Sequence, residues 1–246
     1  MKRLLLLVGI ALWMGTLSVS AQSSQTLVVF AASSLTDAFE EIGTAFQAAQ
    51  PGVKVLFSFG GSSALATQLA EGAPADVFAS ANTRQMQVAQ EAGRISGSPL
   101  TFAKNRLVLI VPADNPANIQ SLRDLANPGV RLVVAAPAVP VRDYTDVMLD
   151  RLAADPNYGE EYRQAVVANI VSEEDNVRQV AAKVALGEAD AGTVYISDVT
   201  PDIADQVIAI PIPDDLNTIA TYPIAVTDDS ALPELAQTFV DFVRSE

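Results

Sequence analysis

The chain alternates between short apolar runs and longer stretches in which apolar residues recur every three or four positions. Thr26 to Ala32 is unbroken apolar sequence after its first residue, as a strand covered on both faces should be, and Ala38, Phe39, Ile42, Ala45, Phe46 and Ala49 then follow at helical spacing. Between them lie Ser33 and Ser34, residues that suit a helix N-cap, with Asp37 in the first turn, where a carboxylate favours the helix dipole. The same grammar recurs. Val53, Val55 and Phe57 alternate as a strand, Gly60-Gly61-Ser62-Ser63 turns the chain, and a helical pattern runs on to Gly72. Val77 to Ala81 predicts a third strand and Asn82 to Gly93 a helix. Arg106 to Pro112 and Arg131 to Ala136 predict buried strands, with a short helix over Ser121 to Ala126 between them.

Further on, Pro137 to Asp143 predicts a loop entering a helix that carries Tyr144, Val147, Met148 and Leu152 on one face. Tyr158 to Val171 reads as helix and then extended chain, and Ser172 to Asn176 as the cap of a helix from Val177 to Leu186 that ends at Gly187. Ala191 to Asp198 predicts a strand with a phenol near its end. Val207 to Ile212 and Thr218 to Thr227 are strand-like, their prolines confining them to edges or crossings, and Pro233 to Arg244 predicts a closing helix. Alternating strands and helices of this kind give an α/β fold built on parallel pairing. No linker divides the chain, so two lobes would require it to pass from one to the other and return.

The first residues change the picture of where the protein works. Met1-Lys2-Arg3, an apolar middle from Leu4 to Met14 and small residues at Val19 and Ala21 form a secretory signal peptide pattern over residues 1–21, with cleavage expected after Ala21. Composition then narrows the chemistry. The 246 residues contain no histidine and no cysteine, which removes histidine general bases, Ser-His-Asp and Cys-His catalysis, and histidine- or cysteine-bearing zinc sites. A formal charge of -14 argues against nucleic acid or an anionic membrane as partner. It leaves a small anion open, because backbone N–H groups at helix starts act locally whereas distant surface carboxylates are screened. Helix starts at the carboxyl edge of a parallel sheet, as expected after Ser33-Ser34, Gly61-Ser62 and the loop before Tyr144, are such donor sites.

With these residues in view, the chain resembles the periplasmic molybdate-binding proteins of ABC importers, type II solute-binding proteins whose members also bind tungstate. The likeness rests on Phe30 to Leu35, Gly61-Ser62-Ser63, Gly72 to Phe78, Glu174 to Arg178 and Gly192 to Asp198, five segments in order across nearly the whole mature chain. The resemblance implies a two-lobed α/β fold, each lobe a mostly parallel sheet flanked by helices, with lobe one formed by residues 22–107 and 222–246 and lobe two by residues 108–221. It also implies an oxyanion, molybdate or tungstate, held between the lobes by Ser34, Ser62, Val141, Val177 and Tyr195: hydroxyls and backbone N–H groups of the serines, backbone N–H groups of the valines and the phenol of Tyr195. No cofactor is implied. The partners would be the oxyanion and the membrane subunits of the importer, and the protein a periplasmic monomer.

One departure stands out. After the proline of the ligand loop at Val141 the family has a small residue and then glycine, where this chain has Pro140-Val141-Arg142-Asp143. Arg142 is expected to pair with Asp143 or Asp146 and not with the ligand. Glu173, Glu174 and Asp175 read as a solvated capping cluster and not as a cation site. Two other functions remain open on the residues alone: the same fold taking sulfate, another oxyanion or a small carboxylate with help from Arg142, and an enzyme with Ser34 or Ser62 as nucleophile. Neither serine sits in a Ser-x-x-Lys or Gly-x-Ser-x-Gly pattern, which argues against the enzyme.

Overall fold

The structure, a computed structural model, describes residues 25–245. The leader expected over residues 1–21 lies outside the described residues. Among the described residues ten strands form two five-stranded sheets. The first has the order β2-β1-β3-β10-β4, from Val53–Gly60 (β2), Gln25–Ala32 (β1), Val77–Ala79 (β3), Ala220–Val226 (β10) and Leu100–Asn105 (β4). The second has the order β7-β6-β8-β5-β9, from Ile170–Glu174 (β7), Leu132–Ala135 (β6), Ala191–Tyr195 (β8), Leu107–Pro112 (β5) and Val207–Pro211 (β9). The chain leaves the first sheet at Asn105, enters the second at Leu107, and returns between Pro211 and Ala220. Each sheet is therefore the floor of one lobe.

β1 shows why an unbroken apolar run becomes a central strand. Leu27, Val29 and Ala31 face a large core containing Phe39 and Phe46 of α1 (Thr36–Ala49) and Phe239 of α7 (Pro233–Ser245). Phe30, on the opposite face, meets Leu65 and Leu69 of α2 (Ser62–Ala70) and Met86 of α3 (Thr83–Glu91). Edge-to-face contacts of Phe239 with Phe39 and Phe46 dock the closing helix onto the first lobe, with ring centroids 6.3 and 5.1 Å apart. In the second lobe, α4 (Pro140–Ala154), α5 (Gly159–Ala168) and α6 (Val177–Ala185) cover the sheet with Met148, Leu152, Val166, Val180 and Val184.

Each sheet is mostly parallel, as expected, with one strand reversed. Both sheets are mixed: β1 pairs in parallel with β2 and β3, and β6 with β7 and β8, whereas β10 and β5, the strands next to the crossings, run antiparallel to both neighbours. A chain that enters a sheet from its neighbour arrives at the opposite end from the local β-α-β units, which reverses its direction. β4 was not foreseen from the pattern. Neither Ser33 nor Ser34 caps α1; both lie in a single 3-10 turn before it, and no side-chain cap bond is made there. Ser172 to Glu174 belong to β7 and not to a cap, the N-cap of α6 being Asn176, whose side chain accepts from the Gln179 N–H at 3.1 Å.

Candidate functional site

Four helical starts and one strand end point into a single cavity between the lobes. It is lined by Ser33 and Ser34 from the turn before α1, Gly60, Gly61 and Ser62 at the start of α2, Ala81, Val139 to Val141 at the start of α4, Val177 at the start of α6, and Tyr195 at the end of β8, with Ala32 behind. All five residues singled out in the sequence, Ser34, Ser62, Val141, Val177 and Tyr195, meet there. About 10 Å³ of the cavity is open to the centre of a water-sized guest, room for one compact group and not for a sugar or a peptide. Among the described residues no charged side chain lines it.

The donors come from the helix grammar. Ser62, Val141 and Val177 occupy the first turn of α2, α4 and α6, where backbone N–H groups have no carbonyl one turn earlier to receive them, and the helix dipole adds positive potential. Two lobes thus aim unfilled N–H groups at one point. The hydroxyls are held as well. Ser62 Oγ accepts from the Ala81 N–H at 3.0 Å, and Ser34 Oγ lies 2.9 Å from the Tyr222 hydroxyl. Ser34 and Ser62 are buried, so both hydroxyls are aimed by the fold and not by solvent.

Tyr195 is the informative residue. Its side chain is 1% exposed, its ring packs against Tyr144 and Tyr222 at 6.2 and 5.7 Å, and its hydroxyl has no hydrogen-bond partner among the described residues. A buried phenol without a partner is costly, by about 1–3 kcal/mol, unless something else accepts its proton. Burial, together with the neighbouring phenols of Tyr222 and Tyr144 and the Asp198 carboxyl, pushes its pKa well above the ordinary value. It is therefore a fixed donor facing the cavity.

Arg142 takes no part. It lies in α4, donates to Asp146 at 2.9 Å, to Glu173 at 2.6 Å and to the Ala135 carbonyl at 3.0 Å, and does not line the cavity. Burial disfavours its charge, but bonds and charges of Glu173 and Asp146 outweigh that and raise its pKa. The absent glycine at position 142 carries no conformational penalty, because the position is helical. The left-handed residue of this loop is Ala138, at φ 71°, whose carbonyl accepts from Gln85 Nε2 of the other lobe at 2.8 Å.

The lobes are in contact around the cavity. The Gly61 α-carbon lies so close to the Asp175 carbonyl that an added Cβ would clash with its oxygen. On one side of the cleft Asp143 of α4 accepts from Asn82 at 3.1 Å and pairs with Arg84 at 3.1 Å. On the other, Arg178 of α6 pairs with Asp37 of α1 across the cleft and with the buried Asp198 of its own lobe at 2.9 Å. Asp198 lies beneath the site and accepts from the Tyr195 N–H at 3.0 Å; burial raises its pKa to about 7, against the lowering effect of Arg178. Sequence reasoning missed these contacts, and Tyr222 too, because each joins distant segments. Among the described residues there is no group of three or more His, Cys, Asp or Glu placed to hold a metal ion.

A site of neutral donors closed between two lobes is the architecture of a capture protein, and comparison with known proteins agrees. The family model for bacterial extracellular solute-binding proteins matches residues 27–246. The molybdate-binding protein ModA of Mycobacterium tuberculosis is 43% identical over 224 residues, 91% of this chain and 81% of the relative. Among solved structures, the periplasmic molybdate-binding protein of Azotobacter vinelandii superposes with a TM-score of 0.74 at 22% identity, covering 89% of this chain and 92% of that one. The sulfate-binding protein SubI of Mycobacterium tuberculosis does so with a TM-score of 0.78 at 20% identity, over 89% and 82%. At these identities the two structures speak for the two-lobed fold. The chain belongs to the bacterial extracellular solute-binding proteins, a family that binds its targets and does not transform them.

Proposed function

We propose that this protein captures molybdate, and tungstate with it, outside the cytoplasmic membrane and delivers it to the membrane subunits of an ABC importer. The ligand residues on this reading are Ser34, Ser62, Val141, Val177 and Tyr195. The single observation that carries it is the unpartnered, buried Tyr195 hydroxyl facing a small cavity ringed by helix-start N–H groups. Such a set of donors suits a tetrahedral dianion without protons, whose oxygens only accept. The lack of a lining cation favours selection by size and shape over simple charge attraction. The relatives named molybdate-binding, at 43% identity, supply the choice among dianions. Periplasmic residence follows the leader pattern of residues 1–21 and the family's extracellular character. The lobes close as rigid bodies about the two crossings, Asn105 to Leu107 and the return into β10.

Calorimetric titration of the purified protein with molybdate, tungstate, sulfate and hydrogen phosphate tests this reading. Molybdate and tungstate should bind alike and sulfate far more weakly. Sulfate binding as tight as molybdate binding would replace the ligand, and no binding of any oxyanion would remove the reading.

A further inference from the structure

The two serine hydroxyls of the cavity share a feature that their chemistry alone does not require: each is already engaged on its oxygen. Ser62 Oγ accepts from a backbone N–H, that of Ala81, which can only donate. At Ser34 the partner is Tyr222, and either hydroxyl could donate across the 2.9 Å contact. Asn105 favours one direction. Its Oδ1 accepts from the Arg106 N–H at 3.0 Å, so its amide nitrogen must face the other way, where it reaches Ser197 Oγ at 2.8 Å and the Tyr222 hydroxyl at 3.4 Å. An amide N–H presented to the phenol oxygen favours the phenol as donor, and Ser34 is an acceptor at 2.9 Å. Ser34 then receives, and its own hydrogen is free to point into the cavity that it lines.

Tyr222 cannot easily turn away from this task. It is 1% exposed, and its ring is packed edge-on against Phe102 at 6.3 Å and against Tyr195 at 5.7 Å. Burial, which outweighs the hydrogen bonds it shares with Ser34 and Asn105, raises its pKa and keeps the phenol protonated.

We propose that Tyr222, oriented by Asn105, is a positioning residue that locks the Ser34 hydroxyl as a donor to the cavity and so makes the site selective for oxyanions that carry no proton. The consequence is a cavity composed of donors alone. A fully deprotonated oxyanion satisfies every one of them, whereas hydrogen phosphate brings an O–H that finds no acceptor and must be desolvated without a partner. The residue lies outside the lining of the cavity, touches no ligand and acts through Ser34. This inference rests on the oxyanion reading of the site.

The test is the ratio of molybdate to hydrogen phosphate affinity at about pH 8, where both are dianions, so net charge drops out. Tyr222→Phe removes the donor to Ser34 and frees its hydroxyl to turn and accept. Molybdate binding should weaken about tenfold and the ratio shrink by a similar factor, the scale of one hydrogen bond to a charged group. Asn105→Asp is the second variant. A carboxylate accepts from the Tyr222 hydroxyl, the chain reverses, Ser34 donates outward to Tyr222 and presents a lone pair to the cavity, so the ratio should shrink further although the added charge weakens both anions. An unchanged ratio in both variants, whatever happens to stability, would overturn the positioning role. Parental protein that prefers sulfate to molybdate would sink the molybdate reading alone, because the ratio of sulfate to hydrogen phosphate reads the same relay.

Discussion

Removing one oxygen from Tyr195 separates a ligand donor from a core aromatic by the sign of two effects. In the closed structure the phenol is buried and its hydroxyl unpaired. Tyr195→Phe keeps the ring contacts with Tyr144 and Tyr222 and deletes only the hydroxyl. A hydrogen bond from that group to a charged oxyanion is worth about 1.5–3 kcal/mol, so the variant should bind molybdate roughly 10- to 150-fold more weakly. Without ligand, deleting an unsatisfied buried hydroxyl relieves a penalty or, where the open cleft wets it, changes nothing. The melting temperature of the ligand-free variant should therefore equal or exceed that of the parent, while the stabilisation that molybdate confers falls. Calorimetric titration paired with thermal unfolding, with and without molybdate, reads both. A variant that binds molybdate within about threefold of the parent, a difference under 1 kcal/mol, and melts lower would show that the hydroxyl serves the fold and not the ligand.

Gly61→Ala should weaken molybdate binding by about 1–3 kcal/mol with little change in ligand-free stability. The added Cβ meets the Asp175 carbonyl only when the lobes close, and the backbone of Gly61 at φ -61° suits any residue; titration and melting of the same sample check it. Arg142→Ala should change molybdate affinity by less than about 1 kcal/mol, since its partners are Asp146, Glu173 and the Ala135 carbonyl, and a much larger loss in the titration would bring Arg142 into the site. Asp198 has its pKa raised from 3.8 to about 7, so the folded state holds a proton that the unfolded chain releases. Its contribution is fully present below about pH 4 and is lost as pH rises through 7, on the order of 2–3 kcal/mol between pH 5 and 8. Urea unfolding at those two pH values should show that loss in the parent and not in Asp198→Asn.

The elements that carry the site were legible because they are local. At β1 and α1 the apolar period changes from an unbroken run to helical spacing within a few residues, and the structure turns the chain there, at Ser33 to Leu35. Gly61-Ser62, Pro140-Val141 and Asn176-Val177 mark helix starts for the same reason, and the sheets bring those starts to one cavity. What holds the serines in place was not legible. Ser33 and Ser34 suit an N-cap, the commonest local use of serine, but Ser34 bonds to Tyr222, 188 residues away, and Ser62 accepts from the Ala81 N–H. Asp37 suited a helix dipole and also meets Arg178 across the cleft. Glu173 looked solvated, yet it holds Arg142. β4 escaped because its residues are only partly covered and alternate poorly, its place being set by pairing with β10. Interactions between lobes leave no periodic trace in a sequence.

The most direct test of the central claim is a crystal structure of the molybdate complex measured at the molybdenum absorption edge. The account predicts one strong anomalous peak in the cavity between the lobes, its oxygens within hydrogen-bond reach of the hydroxyls of Ser34, Ser62 and Tyr195 and of the backbone N–H groups of Val141 and Val177. A peak held by arginine or lysine side chains outside the cleft, or an empty cleft at saturating molybdate, would contradict it.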